Sequence, residues 1–461
     1  MSIPLRGLRF FVPVLIVCSC AALDAQSLRC RTTVENFAFV RVEGLAEIVG
    51  DLVIECTGGT PTPAGQQLPS VDFDLELNTE VSSRILEGDR LEALIFIDDP
   101  APAAQVVGKT VFQGTRVEGN RIRWTGVLFD PPGPDRKRIL RFKNIRADAS
   151  AFDSEPRGEA GIILRLDATG VLEAPLGDVL EKVAFTQRGL SFSVGDAQGG
   201  TASAPARLLR SHDNNKALLA DPTADFSSPG GRSFTLRFEE RTERAFRRRV
   251  LADLLGHIQD QAEPASPSFT ETGFFNPALP AQGGLDRAGL ADHGTRLMAS
   301  FRNVPAGVAI FVTISPVRPG STRIVDAELV STNADGANTE SETVKVQPTS
   351  VADRGIAPVP IVNGEGQAVW EITSADFDAI DTVSFGVTVA YLRDGPELGP
   401  VFVSGSFAPL SGENSSSVKA PLPRFTRDRS FARAFEIVLG DACGVSIQDV
   451  VLGGLDDPLK D

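Results

Sequence analysis

Apolar and polar side chains alternate without a break in Val71-Asp72-Phe73-Asp74-Leu75-Glu76-Leu77-Asn78. Successive side chains of a β-strand point to opposite faces of a sheet, so this stretch predicts an antiparallel strand with one buried and one solvated face. The same period of two recurs at 122–128, 234–238, 368–372 and 383–391. Gly- and Pro-rich turns separate these runs, and no βαβ rhythm is found. The pattern predicts an all-β fold.

The strands group into two regions, which we predict to be two antiparallel β-sandwich domains of the immunoglobulin-like type. The N-terminal domain is expected over 26–194 and the C-terminal domain over 293–440. Trp124 and Trp370 lie on alternating apolar faces and are the predicted core anchors of the two domains.

Residues 195–292 between these regions have little periodicity, and we predict an irregular linker with one strand, at 233–239, and one helix. The helix is expected over Thr242–Gln259, where apolar residues recur at every fourth position. Its first half carries Arg244, Arg247, Arg248 and Arg249. We interpret these arginines as a solvated face, the alternative being a docking patch for an acidic partner. Residues 441–461 are predicted to form a flexible tail.

The N-terminus has the composition of a secretory signal peptide over 1–25, with two early arginines, a short apolar run at 10–17 and small residues up to Ala25. Cys20 offers an alternative, because a small residue precedes it as in a lipoprotein signal. No other segment reaches the ~18 apolar residues that a membrane-spanning helix needs. We therefore expect an exported protein without a membrane span.

The chain is acidic, with 45 Lys and Arg, 60 Asp and Glu and a net charge of −15. Loss of residues 1–25 removes two basic residues and one acidic residue, which brings the charge to −16. Such a surface repels nucleic acid and anionic lipid, so neither is an expected partner. Phe is abundant (28), whereas Trp (2) and Tyr (1) are scarce, which argues against a carbohydrate-binding surface.

Three cysteines remain after the predicted cleavage: Cys30, Cys56 and Cys443. Export permits a disulfide, and Cys30 and Cys56 each lie beside a predicted strand of the same region. We predict that these two pair, which would constrain the unfolded chain by about 3 kcal/mol. Cys443 is then a free thiol or an intermolecular link, unless it is the true partner of one of the others.

Catalytic motifs are scarce. His212, His257 and His293 lie far apart in the sequence, so no zinc-ligand spacing is present. We find no Gly-x-Ser-x-Gly elbow, no Walker loop and no dinucleotide-binding glycine fingerprint. A glycosidase needs two facing acids, and nothing in the sequence favours one pair among so many carboxylates.

Two groups of aspartates are candidates for Ca²⁺ coordination through loop oxygens. The first is Asp98-Asp99, and the second is Asp376, Asp378 and Asp381. Ordinary turn chemistry explains both groups equally, because Asp bonds its own backbone in turns. We retain the second group as a weak metal-site hypothesis and expect no other cofactor.

Three stretches resemble a family of uncharacterised, secreted bacterial all-β proteins. They are Glu43–Glu47 with Gly50–Pro61, Thr295–Leu297 with Asn303–Val308, and Pro421–Phe425. The resemblance implies export and an all-β fold, and it supplies no catalytic residues.

Together these features favour a secreted, non-catalytic protein of the cell exterior, structural or adhesive in role, with an unidentified protein or matrix partner. Its edge strands or end loops would carry the contacts. One alternative is an exported carboxylate-dependent hydrolase of glycans or peptides. The other is a Ca²⁺-stabilised surface-binding module.

Overall fold

The computed structural model describes residues 27–152, 161–210, 220–221, 224–226, 228–249, 270–317, 325–337, 355–376, 379–391, 396–427 and 431–439. The predicted signal peptide, the predicted tail and Cys443 lie outside these residues. Within them the chain is mostly strand, as the all-β prediction requires. No helix in the described ranges is both long enough and apolar enough to cross a bilayer.

The first part of the chain forms strands β1 to β13, called the N-terminal half below. They are β1 (Arg29–Glu35), β2 (Ala38–Arg41), β3 (Glu47–Ile48), β4 (Asp51–Gly58), β5 (Ser70–Leu77), β6 (Ile85–Glu87), β7 (Arg90–Ile97), β8 (Val111–Glu118), β9 (Arg121–Leu128), β10 (Gly133–Lys143), β11 (Arg146–Ala147), β12 (Gly161–Ala168) and β13 (Val179–Gln187). Short helical turns occur at Pro102–Ala104, Ser150–Phe152, Gly170–Leu172 and Glu173–Leu176.

Most of these strands belong to one curled sheet in the order β1-β4-β10-β7-β8-β9-β5-β12-β13-β2, with β6 beside β7. The two ends of the sheet approach each other, because the hydroxyl of Thr32 on β1 donates a hydrogen bond of 2.6 Å to Glu181 on β13. Gly126 contributes to the curvature: it has a φ of +67°, and the register of β5 against β9 shifts beside it. A bulge of this kind bends a strand and increases its twist.

The stretch that alternates without a break is β5, and its four apolar side chains are buried as predicted. They pack in one core inside the curl, where Trp124 lies edge-on to Phe142 at 5.3 Å between ring centroids. The predicted disulfide is present: Cys30 on β1 and Cys56 on β4 are opposite each other and bonded, with Cα atoms 4.1 Å apart. It fastens an end strand of the sheet to its neighbour.

The second part of the chain forms strands β14 to β25, called the C-terminal half. They are β14 (Leu190–Gly195), β15 (Ala206–Leu209), β16 (Phe234–Glu240), β17 (Arg296–Arg302), β18 (Val308–Thr313), β19 (Asp326–Leu329), β20 (Ile356–Pro358), β21 (Ile361–Val362), β22 (Glu365–Ser374), β23 (Thr382–Tyr391), β24 (Gly399–Ala408) and β25 (Ala432–Val438). Helical turns occur at Pro229–Gly231 and Gln282–Arg287.

Two sheets face each other in the C-terminal half. One has the order β14-β16-β23-β18-β20, and the other has the order β15-β25-β24-β17-β22-β19 with β21 beside β22. Both contribute to a single core. Trp370 on β22 stacks on Phe385 on β23 at 4.0 Å, so it joins the two sheets as a core anchor.

The immunoglobulin-like form of the prediction is not confirmed. The N-terminal half is one curled sheet rather than two facing sheets, and β2–β13 and β15–β25 are parallel pairs. An alternating strand buries the same face whether its neighbour across the core is a second sheet or the far side of its own sheet. Periodicity alone therefore does not distinguish the two arrangements.

The strand predicted at 233–239 is confirmed as β16. The helix predicted over Thr242–Gln259 is not formed at 242–249, and 250–259 lie outside the described residues. Arg244 has a φ of +68°, which interrupts a right-handed helix, and the backbone N–H of Phe246 donates to the carboxylate of Glu240. Tertiary contacts thus replace the local helical bonds.

The later part of the predicted linker, 270–292, packs on the outside of the curled sheet. Phe274 lies edge-on to Phe96 on β7 at 4.7 Å, and Leu279 and Leu285 are buried against the same strands. This segment is irregular, but it is fixed to the N-terminal half by an apolar cluster of its own.

Candidate functional site

The one histidine in the described ranges does not face a reaction site. His293 is buried, and its Nδ1 lies 3.0 Å from the carbonyl oxygen of Gly294. Burial lowers the pKa of His293 well below its ordinary value, and the charge of Arg296 lowers it further. His212 and His257 lie outside the described residues.

The second group of aspartates is only partly described, since Asp378 lies outside the described ranges. The backbone N–H of Asp376 donates to Oδ2 of the buried Asp381 at 2.7 Å. The N–H of Asp381 in turn donates to Glu240 at 2.9 Å. No group of three or more His, Cys, Asp or Glu side chains that could hold a metal occurs in the part of the chain that the structure describes. The Ca²⁺ hypothesis stays a prediction.

Asp98 and Asp99 bind the arginines of β10. Asp98 accepts a hydrogen bond of 2.6 Å from Arg138, while Asp99 accepts two, at 2.7 and 2.9 Å, from Arg141. Both aspartates have positive φ, as Asp tolerates in turns. These bonds fasten the turn after β7 to β10, the strand beside β7 in the sheet.

A dense set of interacting polar groups lies where the described parts of the two halves meet. We call it the junction network, and it consists of Arg41, Glu47, Arg247, Glu271 and Thr295. All five are buried. Arg41 ends β2 and Glu47 begins β3, whereas the others come from 241–249, from 270–292 and from the residue before β17. The network therefore joins five places along the chain.

Arg41 is at the centre of the network. Its guanidinium donates to Glu47 at 2.6 and 2.9 Å, to Glu271 at 2.8 and 3.1 Å and to Thr295 at 3.0 Å. Arg247 adds a bond of 3.2 Å to the other oxygen of Glu47. Charge-assisted bonds of this geometry satisfy charges that burial would otherwise leave unpaired at high cost.

Aromatic rings cover the same guanidinium. It lies 4.8 Å from the ring centroid of Phe425 and 5.4 Å from that of Phe407. The two rings stack on each other at 4.8 Å. Arg41 thus extends from the N-terminal half into an aromatic wall of the C-terminal half, where cation–π attraction adds to the ion pairs.

Two further ion pairs extend the network. Arg146 on β11 donates to Glu92 on β7 at 2.9 Å and to the carbonyl oxygen of Glu271, also at 2.9 Å. On the other side, Arg296 on β17 donates to Glu371 on β22 at 2.9 and 3.1 Å. All four side chains are nearly inaccessible to solvent.

The charged groups of the network shift one another's pKa values. Burial alone would lower the pKa of Arg41, but the charges of Glu271 and Glu47 outweigh it and raise that pKa. Burial acts to raise the pKa of Glu47, yet Arg41 and Arg247 bring it below its ordinary value. Arg41 and Glu47 are therefore both charged at neutral pH.

The network also protects an edge of the curled sheet. β2 is an end strand, and its outward polar groups would otherwise be open to pairing with another chain. The N–H of Arg41 donates to Glu47 at 3.3 Å, and the carbonyl oxygen of Phe39 accepts a bond of 3.0 Å from Arg247. Side chains from both halves cap this edge.

Two of the surface cavities in the described part of the chain contain carboxylates. The larger, of about 680 Å³, opens between edge strands β19 and β20, and its one carboxylate among the described lining residues, Glu365, lies 3.4 Å from Arg302. The smaller, of about 310 Å³, is lined by the turn 130–138 and by Asp98. Its Asp98 and Asp130 both face the guanidinium of Arg138, at 2.6 and 4.0 Å.

Sequence reasoning missed the junction network. Arg247 was predicted to be solvated, whereas it is buried between Glu47 and the backbone of β2. The pairs of Arg41 with Glu271 and Thr295 span 230 and 254 residues, so no local spacing shows them. The one available signal was an excess of arginines beside apolar residues at 244–249.

No family model matches the sequence, and no curated protein matches it. Three of the solved structures that are similar to this chain come from bacteria. The C-terminal domain of the Streptococcus agalactiae AgI/II polypeptide BspA shares 8% identity over 86% of this chain and 100% of that one, with a TM-score of 0.29. The C-terminal domain of the Streptococcus pyogenes antigen I/II-family protein AspA shares 7% identity over 87% and 99%, with a TM-score of 0.28. The collagen adhesin CNA of S. aureus shares 5% identity over 89% and 95%, with a TM-score of 0.17. These TM-scores are all below 0.5, so we argue the function from the residues of this chain alone.

Proposed function

We propose that this chain is a secreted, non-catalytic protein with a structural or adhesive role at the cell exterior, in which two β halves act as one rigid unit. The observation that carries this proposal is the junction network. Arg41 pairs with Glu47 within the N-terminal half, but the Arg41–Glu271 and Arg247–Glu47 pairs join the two halves, so separation would leave Arg247 and Glu271 without these buried partners. A rigid unit transmits force between its two ends without a flexible linker.

Two further features support the proposal. The Cys30–Cys56 disulfide fits the export predicted from residues 1–25, because disulfides persist in oxidising surroundings. The capped edge of β2 suits a protein that works at high local concentration, since an open edge strand invites aggregation. The partner is a protein or matrix component.

A hydrolase has less support. In the smaller cavity Asp98 and Asp130 pair with Arg138, and in the larger cavity Glu365, the carboxylate among the described lining residues, pairs with Arg302. A glycosidase needs two carboxyl groups that flank the substrate, and these carboxylates instead contact arginines. The Ca²⁺-stabilised module rests on the loop 376–381 alone.

The proposal is tested in the producing cell. A strain that lacks the gene should attach less firmly under flow to glass coated with matrix protein, and the wild-type gene should restore attachment. The protein should be found outside the cytosol, with a native N-terminus near residue 26. Unchanged attachment of the deletion strain would contradict the proposal, as would turnover of a glycan or peptide that one carboxylate substitution abolishes.

A further inference from the structure

A lysine, an asparagine and an aspartate meet at one end of the curled sheet. Their strands are neighbours in the order β1-β4-β10, and Asp51 begins the middle strand. Glu35 at the end of β1 lies opposite Asp51, and Asn36 follows it directly. On the other side of β4, β10 ends at Lys143. The register therefore brings the lysine and the asparagine to one carboxylate from its two sides.

A single oxygen of Asp51 binds both nitrogen atoms. Its Oδ2 accepts a hydrogen bond of 2.7 Å from Nζ of Lys143 and one of 2.9 Å from Nδ2 of Asn36. Lys143 is 8% exposed and Asp51 is 5% exposed. On β7 the residue opposite Lys143 is Leu94, which belongs to the apolar cluster under segment 270–292. The amine, the carboxamide and the carboxylate are thus held together where little water reaches them.

These three groups have the chemistry of an amide exchange. A lysine amine is a nucleophile, and a carboxyl group in contact with it can act as general base and general acid in turn. Because the folded chain holds both reactants against the same oxygen, the step is effectively unimolecular, which greatly favours reaction over free diffusion of the two groups. The arrangement therefore supplies a nucleophile, an electrophile and a proton carrier.

We propose that Nζ of Lys143 forms an isopeptide bond with Cγ of Asn36, with Asp51 as the proton carrier. Asp51 takes one proton from the ammonium group, and the resulting amine attacks Cγ. The bond between Cγ and Nδ2 then breaks, and the leaving nitrogen receives the proton held on Asp51 and a second proton from the amine. It departs as an ammonium ion. One hydrogen stays on the new amide nitrogen, and Asp51 is again a carboxylate.

A second cation compensates the charge of Asp51 once the lysine nitrogen has become a neutral amide. Nη1 of Arg141 lies 3.8 Å from Oδ2 of Asp51 and is held in place by a bond of 2.6 Å to Glu35. A buried carboxylate without a cationic partner would be costly. The site therefore accommodates the product as well as the reactants.

The bond fastens an end strand of the sheet at both of its ends. The Cys30–Cys56 disulfide joins the beginning of β1 to β4, and the isopeptide bond joins the residue after β1 to the last residue of β10. Strand β1 then cannot peel from the sheet when the chain is pulled. This inference does not rest on the proposed function, and the two are tested by separate measurements.

The test is mass spectrometry of a trypsin digest of the denatured, reduced full chain. Trypsin cleaves after Lys and Arg, so an unlinked chain yields fragment 32–41 and is cut after Lys143. With the bond, Lys143 resists cleavage and fragment 32–41 is joined to fragment 142–146, with the loss of one ammonia molecule from their summed mass. The digest locates the bond, whereas the intact mass does not, because cyclisation of an N-terminal Gln26 also releases ammonia.

Three variants complete the test. Lys143→Arg keeps a cation beside Asp51 without a nucleophilic amine and should yield fragment 32–41 unjoined. Lys137→Arg is the matched control on the same strand, because Lys137 pairs with Glu55 at 3.2 Å on the exposed face, and it should yield the joined fragment. Asp51→Asn should leave most of the chain unlinked.

The Cys30–Cys56 disulfide, scored before reduction, shows in each variant that β1 lies against β4. Unjoined fragment 32–41 and complete cleavage after Lys143 in the wild-type protein overturn the proposal. A joined fragment of wild-type yield in Asp51→Asn overturns the role of Asp51 as the proton carrier.

Discussion

Replacement of Glu47 by Gln removes one negative charge from the centre of the junction network while keeping the shape of the side chain. Glu47 accepts bonds from Nε, Nη2 and the backbone N–H of Arg41 and from Nη1 of Arg247. In the variant, the two buried guanidinium groups retain only Glu271 as an anionic partner in this network. The amide of Gln also directs N–H donors towards groups that are themselves donors.

Loss of one partner of a buried ion pair costs about 3 to 5 kcal/mol, because the remaining charge is left uncompensated. Domains of ordinary stability unfold with about 5 to 15 kcal/mol, so this loss is a large fraction of the total. The matched control is Glu55→Gln on β4. Glu55 pairs with Arg31 at 3.0 Å and with Lys137 at 3.2 Å on the exposed face, where such pairs contribute about 0 to 1 kcal/mol.

The two tryptophans make the assay specific for each half. Trp124 lies in the N-terminal core and Trp370 in the C-terminal core, and the sequence has no other Trp. Urea unfolding is followed in single-Trp proteins that carry Trp124→Phe or Trp370→Phe, each with and without the Glu47 change. We expect Glu47→Gln to lower the free energy of unfolding reported by both tryptophans, or to give the two halves different urea midpoints. A free energy of unfolding within about 1 kcal/mol of that of Glu55→Gln would refute the reasoning.

Three further outcomes are expected. Replacing Cys30 and Cys56 by Ser should lower the free energy of unfolding by about 2 to 4 kcal/mol in a denaturant titration, and no loss would show that the disulfide is dispensable. Gly405→Ala should destabilise by about 1 to 3 kcal/mol, because an added Cβ would overlap the ring of Phe192, whereas Gly412→Ala meets open space and should be neutral; equal melting temperatures would contradict this packing. Chelation with EDTA should leave the thermal midpoint unchanged, and a midpoint that rises with added Ca²⁺ would instead support the calcium-bound loop.

Local patterns predicted the strands well. The alternation at 71–78 determined β5 because each step of the chain buries or exposes one side chain. The Cys30–Cys56 pair was also predictable, since both residues lie beside strands of the same region. Both predictions follow from local sequence features and do not depend on which distant segment completes the core.

The curl of the N-terminal sheet and the junction network depend on contacts that are distant in sequence. The apolar spacing at 242–259 favoured a helix, yet burial of Phe246 and Arg247 and the bond to Glu240 outweigh helical propensity at 242–249. The arginines were assigned to a solvated face because exposure is the usual state of that residue type. Of these arginines Arg247 is buried and Arg248 is exposed, and the burial of Arg247 follows only from the position of Glu47, 200 residues away.

Differential scanning calorimetry of the wild-type protein tests the rigid junction most directly. If the buried charges hold the two halves as one unit, heating gives a single endotherm whose calorimetric and van't Hoff enthalpies agree. Two resolved endotherms, or a calorimetric enthalpy about twice the van't Hoff value, would show that the halves unfold independently and would contradict the account.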